Sequence, residues 1–292
     1  MIATGSAAKL ILTATLAVAA GSGQPDKSPR VITLAPHATE LIHAAGAGHT
    51  LVGTVSSSDF PESARELPRV GDGILLNQER IITLKPTVLV GWLPSNAARQ
   101  IEPVAHRLGA QLTYSRPLSL RDIPAEVLRL GRLLGTEDQA ARAAGELEAR
   151  IDALERRYAS QSPVKVFIEV GERPLYTIGD DPLLNDALRL CSAVNIYAAT
   201  GLPAPRVPVE SVLVNQPELI VVSERPGVEA SAARERWSQL GLSAALQGHV
   251  HLADPDALYR PGPRLIDATE ALCAAVDAAR SGLKQSGDAP IK

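Results

Sequence analysis

The sequence predicts an α/β protein of two lobes, each a mostly parallel sheet with flanking helices, joined by one long connecting helix. Three observations carry this. Short β-branched runs alternate with longer segments of helical spacing, the order of a parallel α/β protein rather than a sandwich. A charged amphipathic segment at 136–158 separates two such series. A pattern also recurs once in each series, ERIITLKPTVLV at 79–90 and ESVLVNQPELIV at 210–221, with the Glu and Pro seven residues apart in both.

The elements follow in chain order. Residues 1–29 read as a signal peptide and short leader: a polar start ending at Lys9, an apolar run at 10–20 too short to span a bilayer, and Ala17-Val18-Ala19 fitting a small-x-small cleavage site. No cysteine lies near that site, so a soluble exported protein without a lipid anchor is expected. The first lobe, 30–135, carries strands at 31–35, 51–55, 88–92 and 111–115 and helices at 39–47, 77–84 and 96–108. The connecting helix is placed at 136–160. In it Leu133, Leu134, Ala140, Ala141, Ala144, Leu147, Ile151 and Leu154 recur at helical intervals, with Thr136 as the N-cap. About twenty residues give roughly 30 Å of helix, enough to cross from one lobe to the other. The second lobe, 161–292, carries strands at 164–170, 219–223 and 249–253 and helices at 182–191, 210–215 and 264–279.

Composition narrows the function. The formal net charge of −3 is too weak to suggest a nucleic-acid binder. There are two Phe, two Trp and five Tyr, so any site that needs a ring draws on very few positions. Phosphate-loop, nucleophile-elbow, zinc-protease and CxxC motifs are missing. His249 and His251 fall on one face of a strand, which suits a metal, but no third ligand is in view. Cys191 and Cys273 are the only cysteines, and in an exported chain they are expected to be bridged, closing a loop of about eighty residues.

Ligand chemistry in such a fold gathers where strand carboxyl ends meet helix amino ends. The segments there contain Pro36 and His37, Ser57 and Phe60, Trp92, Tyr176, and Asp256, Tyr259 and Arg260. Trp92 reads either as a core cap or as a stacking platform for a flat ligand, and Tyr176 and Tyr259 are similar cases. Asp256 and Arg260, four apart, suit an ion pair with each other. Glu79 and Glu210 each fall in the first turn of a helix, where the macrodipole favours a carboxylate. As one exposed charge per lobe, they also suit a two-fold symmetric partner carrying arginines.

At these residues the chain resembles the periplasmic cobalamin-binding proteins of ABC-type importers, within the wider family that binds siderophores, haem and corrinoids. The matching text is RVITLAPHATEL from Arg30, Val52-Gly53, SDFP from Ser58, NQERI from Asn77, LKP from Leu84, Trp92 with NAARQ from Asn96, and RPGPR from Arg260. The similarity runs over about residues 30–280. It implies two lobes on a rigid helix and a monomeric periplasmic binding protein that is not an enzyme and holds no cofactor or resident metal. It also implies a corrinoid cleft lined by Trp92, Tyr176, Asp256 and Arg260, docking of Glu79 and Glu210 onto arginines of the permease dimer, and a Cys191–Cys273 disulfide. Where the best-known cobalamin binders place further aromatics, this chain has Ser57, Gly73 and Ala204. Two other readings stand beside this one: a ferric siderophore or haem binder of the same family, and an exported two-lobed chelatase-like enzyme using His37, or His249 and His251, around a metal.

Overall fold

The structure is a computed structural model that describes residue 1 and residues 28–93, 95–224 and 229–287. The expected signal peptide falls almost wholly outside the described residues. In chain order the first series is β1 (Val31–Thr33), α1 (Pro36–Ala44), β2 (Leu51–Gly53), α2 (Gln78–Leu84), β3 (Val88–Trp92), α3 (Asn96–Leu108), β4 (Gln111–Ser115) and α4 (Asp122–Leu134). Then comes α5 (Glu137–Tyr158). The second series is β5 (Val164–Glu172), β6 (Leu175–Thr177), α6 (Pro182–Leu190), β7 (Ala193–Asn195), α7 (Val209–Asn215), β8 (Leu219–Ser223), α8 (Ala230–Gln239), α9 (Ser243–Leu246), β9 (Val250–Ala253), α10 (Pro255–Leu258) and α11 (Arg264–Gly287).

Two sheets result. The first has the order β2-β1-β3-β4 and is parallel throughout. The second has the order β6-β5-β8-β9, with β7 also pairing β5; its one antiparallel member is β6. Strand periodicity sets what each face touches. Val31, Val88 and Val90, with Val164, Val166, Leu219 and Val221, point into one continuous core that both sheets share with α1, α4, α5 and α11. The alternate residues Ile32 and Leu89 point into an outer core with Ile81, Ile101 and Val104. Phe167, Ile220 and Val222 do the same on the other side, where Trp237 packs edge-on to Phe167 at 5.6 Å. Both sheets are therefore covered on two faces, which is why β3 and β8 read as unbroken apolar runs.

The repeated pattern is a structural repeat. Both α2 and α7 are seven residues long and end on a non-glycine residue in the left-handed region, Lys85 at φ 46° and Gln216 at φ 47°. Pro86 and Pro217 follow and stop each helix before the buried strand.

α5 is 22 residues long, roughly 33 Å. It lies against α4 and α6 and is pinned to α11 by Arg150, which holds Asp267 at 2.5 Å and Glu270 at 2.7 Å. The structure corrects the sequence reading here. Leu133 and Leu134 belong to α4, a separate helix closed by Gly135 at φ 74°, and α5 packs so tightly on it that a Cβ at Gly131 would lie 2.2 Å from that of Ala140. Thr136 does occupy the N-cap position of α5, but its hydroxyl makes no capping bond and is buried. A disulfide joins Cys191, at the end of α6, to Cys273 in α11 across 82 residues.

Candidate ligand cleft

The carboxyl ends of both sheets converge on residues 254–264, where charges from the two lobes interlock. Arg260 reaches Asp59 at 2.6 Å and Asp256 at 2.5 Å, and Arg264 grips Glu40 with two bonds of 2.7 and 3.1 Å. Asp256 and Arg260 thus pair as their spacing suggests, and each of the two arginines also crosses to the other lobe. Glu40 sits on α1 among Ala38, Leu41 and Ile42 and is 3% exposed. Burial raises its pKa, opposed by the Arg264 hydrogen bond and charge. Asp59 feels a smaller burial, and the Arg260 hydrogen bond and charge outweigh it, so its carboxyl titrates below the ordinary range. The Pro261-Gly262-Pro263 turn closes over this floor, and a Cβ at Gly262 would stand 3.1 Å from the Glu40 carboxylate. Phe60 is 45% exposed and carries the Arg264 guanidinium on its face at 4.5 Å.

On the first lobe, a cavity of about 530 Å³ opens at the ends of β1 and β3, lined by Pro36, Ser57, Asp72, Gly73, Ile74 and Trp92. Trp92 is 46% exposed there, and Ile74 76%. Behind the indole lies His37, fully buried, its ring edge-on at 5.4 Å. Burial holds its pKa at about 4; the Ser115 backbone favours the protonated ring but is outweighed, and the Arg260 charge adds to the lowering. Whatever His37 contributes to the cavity, it contributes through Trp92.

On the second lobe, a cavity of about 680 Å³ opens at the ends of β5 and β8, lined by Glu172, Tyr176, Ala204, Val222, Ala233 and Arg236 among others. Tyr176 is 41% exposed. Tyr259 is half-buried, packs on the shared core and meets Ser223 at the end of β8 through its hydroxyl at 2.7 Å. Each of the two cavities therefore holds one half-exposed ring, Trp92 in the first and Tyr176 in the second. Ser57 and Gly73 line the first cavity and Ala204 the second, so the small residues leave open space beside those rings.

Arg264, in the rim segment that follows Arg260 in sequence, completes the floor with Glu40. Glu40, Glu169 and Arg236 had no place among the sequence-derived candidates, and Glu169 with Arg236 builds the wall of the second cavity. A carboxylate inside an apolar stripe was the available signal for both, Glu40 beside Leu41 and Ile42, and Glu169 within Phe167-Ile-Glu-Val.

Away from the cavities, Glu79 and Glu210 are both exposed in the first turns of α2 and α7. His249 precedes β9 rather than lying on it, and burial lowers the pKa of His251. Among the described residues no group of three or more His, Cys, Asp or Glu is arranged to hold a metal ion.

Comparison with known proteins agrees with this architecture. Residues 31–257 match the family described as periplasmic binding protein. The vitamin B12-binding protein of Vibrio cholerae is 35% identical over 252 residues, which cover 86% of this chain and 90% of that protein. That of Photorhabdus laumondii is 36% identical over 244 residues, covering 84% and 86%. Among solved structures, the periplasmic vitamin B12 binding protein of Vibrio cholerae aligns with a TM-score of 0.77 and 34% identity, over 86% of this chain and 98% of that one. A periplasmic haem-binding protein of Roseiflexus aligns with a TM-score of 0.71 and 26% identity, over 87% and 99%.

Proposed function

This chain belongs to the periplasmic binding protein family, and on that premise we propose that it captures cobalamin or a related corrinoid between its lobes and delivers it to an ABC-transporter permease. The observation that carries the ligand is the similarity to vitamin B12-binding proteins over nearly the whole described chain. The geometry supports it. A corrin ring is broad and flat, and Trp92 and Tyr176 present one half-exposed ring from each lobe, on either side of a floor locked by Arg260 and Arg264. Pro36 and Ser57 shape the wall beside Trp92. Asp256 and Arg260 supply polar groups at the floor, with Phe60 and Tyr259 fixing the floor and the wall behind. The open space at Ser57, Gly73 and Ala204 suits a bulky ligand. In this reading the chain acts by binding and not by catalysis, as a monomer exported to the periplasm by an N-terminal signal peptide.

Glu79 and Glu210 are the docking charges. Each stands on the first turn of a short helix repeated in both lobes, so the pair matches a permease dimer that offers one arginine per subunit. Corrinoid is favoured over haem because the vitamin B12-binding relatives are more similar, at 35% and 36% identity against 26% for the haem-binding structure. Isothermal titration with cyanocobalamin, cobinamide and haemin tests the reading. Binding of cyanocobalamin or cobinamide at one per chain is expected; absence of binding by both removes the ligand assignment.

A further inference from the structure

The wall of the second cavity holds an ion pair that the reading above does not use. Glu169, on β5, is 3% exposed and shares the strand face of Phe167. Its two carboxylate oxygens are divided between neighbours on α8: Arg236 Nη2 donates to one at 2.6 Å, and Trp237 Nε1 donates to the other at 2.7 Å. The guanidinium also lies over the Trp237 ring at 5.0 Å and has Glu172 3.8 Å from its Nε. Trp237 itself is fully buried. Arg236 is thus held by a buried carboxylate, a buried indole and a rim carboxylate, and the rotamer entropy that a long side chain loses on contact with a ligand is already spent.

Arg236 also faces the cleft: its side chain is 27% exposed and lines the same cavity as Tyr176 and Ala204. The described contacts engage Nη2 and Nε and leave Nη1 without a partner among the described residues. The charges of Glu169, Glu172, Arg173 and Arg236 cancel, so this wall offers a fixed hydrogen-bond donor rather than a net positive field. A fixed donor of that kind suits an oxygen acceptor on the rim of a ligand, a carboxamide carbonyl or, with a stronger charge-assisted bond, a carboxylate. Corrinoids carry carboxamide side chains around the ring.

We propose that Arg236, positioned by Glu169, is a specificity-determining residue of the cleft that donates to a peripheral carboxamide oxygen of the ligand. This rests on the corrinoid reading, and the test separates the two. Titration calorimetry is run with cyanocobalamin and with its b-, d- and e-monocarboxylic acids, on the wild type, Arg236→Leu and Arg236→Lys. In the wild type, one of the three acids is expected to bind about fivefold or more tighter than cyanocobalamin. Arg236→Leu is expected to weaken cyanocobalamin about tenfold and to erase that acid's advantage. Should Arg236→Leu not fold, Arg236→Lys decides, because it keeps the charge and loses the fork, and the advantage is expected to shrink. An advantage that persists in the variant, a loss shared equally by all four ligands, or a wild type indifferent to the acids overturns the proposal. A wild type that binds none of the four overturns the corrinoid reading and this proposal with it.

Discussion

His37 makes the fold sensitive to mild acid. The perturbation is His37→Phe, which keeps an edge-on ring against Trp92 and removes the titrating group. Burial moves the histidine from 6.5 to about 4, so between those pH values the unfolded chain takes a proton that the native one refuses. Stability therefore rises with pH across this window and is lost as pH falls through it. At roughly 1.4 kcal/mol per pH unit, the full window is worth about 3 kcal/mol. Urea unfolding between pH 4 and 7.5 measures it. With a slope of about 2 to 3 kcal/mol per molar, the wild-type midpoint should fall by about 1 M more than that of the variant on going from pH 7 to pH 4. Glu40, whose pKa burial raises, and Asp59, whose pKa the Arg260 contact lowers, are common to both proteins and cancel in the difference. Stability curves that run parallel in wild type and variant would refute the reasoning.

Three more predictions follow from the same contacts. The double variant Glu79→Ala with Glu210→Ala should bind cyanocobalamin with unchanged affinity yet fail to stimulate the ATPase of its reconstituted transporter; undiminished stimulation counts against docking through these residues. Arg264→Met leaves the Glu40 carboxylate buried without its main partner and should cost about 3 to 5 kcal/mol in urea unfolding, whereas Glu40→Gln combined with Arg264→Met should cost clearly less. Denatured, unreduced protein should show no reactive thiol, and Cys191→Ser with Cys273→Ser should lower stability by up to roughly 4 to 5 kcal/mol, the chain-entropy value for a loop of this length; two thiols in the unreduced protein would contradict the bridge.

The parts of the fold most legible in the sequence are those whose physics is local. The interior strands β3 and β8 fall on the expected residues because parallel strands covered on both faces leave unbroken apolar runs, and the edge strand β4 and the helix α3, which alternates sharply between faces, fall there too. β6 and β7 are three residues each, too short for a pattern, and lie beside β5 on the sheet's outer edge. The stripe of the connecting helix takes in Leu133 and Leu134 because they stay in phase across Gly135; they end α4, and only the left-handed turn at that glycine separates the two helices. α8 is mostly polar, with Ala233 and Trp237 as its buried residues, so it carried little helical stripe. The half-exposed rings are legible in sequence, Trp92 as a strand-end aromatic and Tyr176 as part of a rim segment. Their surroundings are not, since Glu40 meets Arg264 across 224 residues and Glu169 meets Arg236 across 67, distances over which no spacing rule operates.

The central claim is that a corrinoid sits between the two lobes on Trp92 and Tyr176. Calorimetric titration of cyanocobalamin into the wild type and into Trp92→Ala with Tyr176→Ala tests it most directly. Both rings are nearly half exposed, so the double variant should keep its unfolding midpoint while each lost stacking contact weakens binding. The account predicts one ligand per chain for the wild type and an affinity about 10- to 100-fold lower for the variant, a loss of roughly 1.4 to 2.8 kcal/mol. Wild-type affinity in the double variant, or no binding by the wild type, would contradict it.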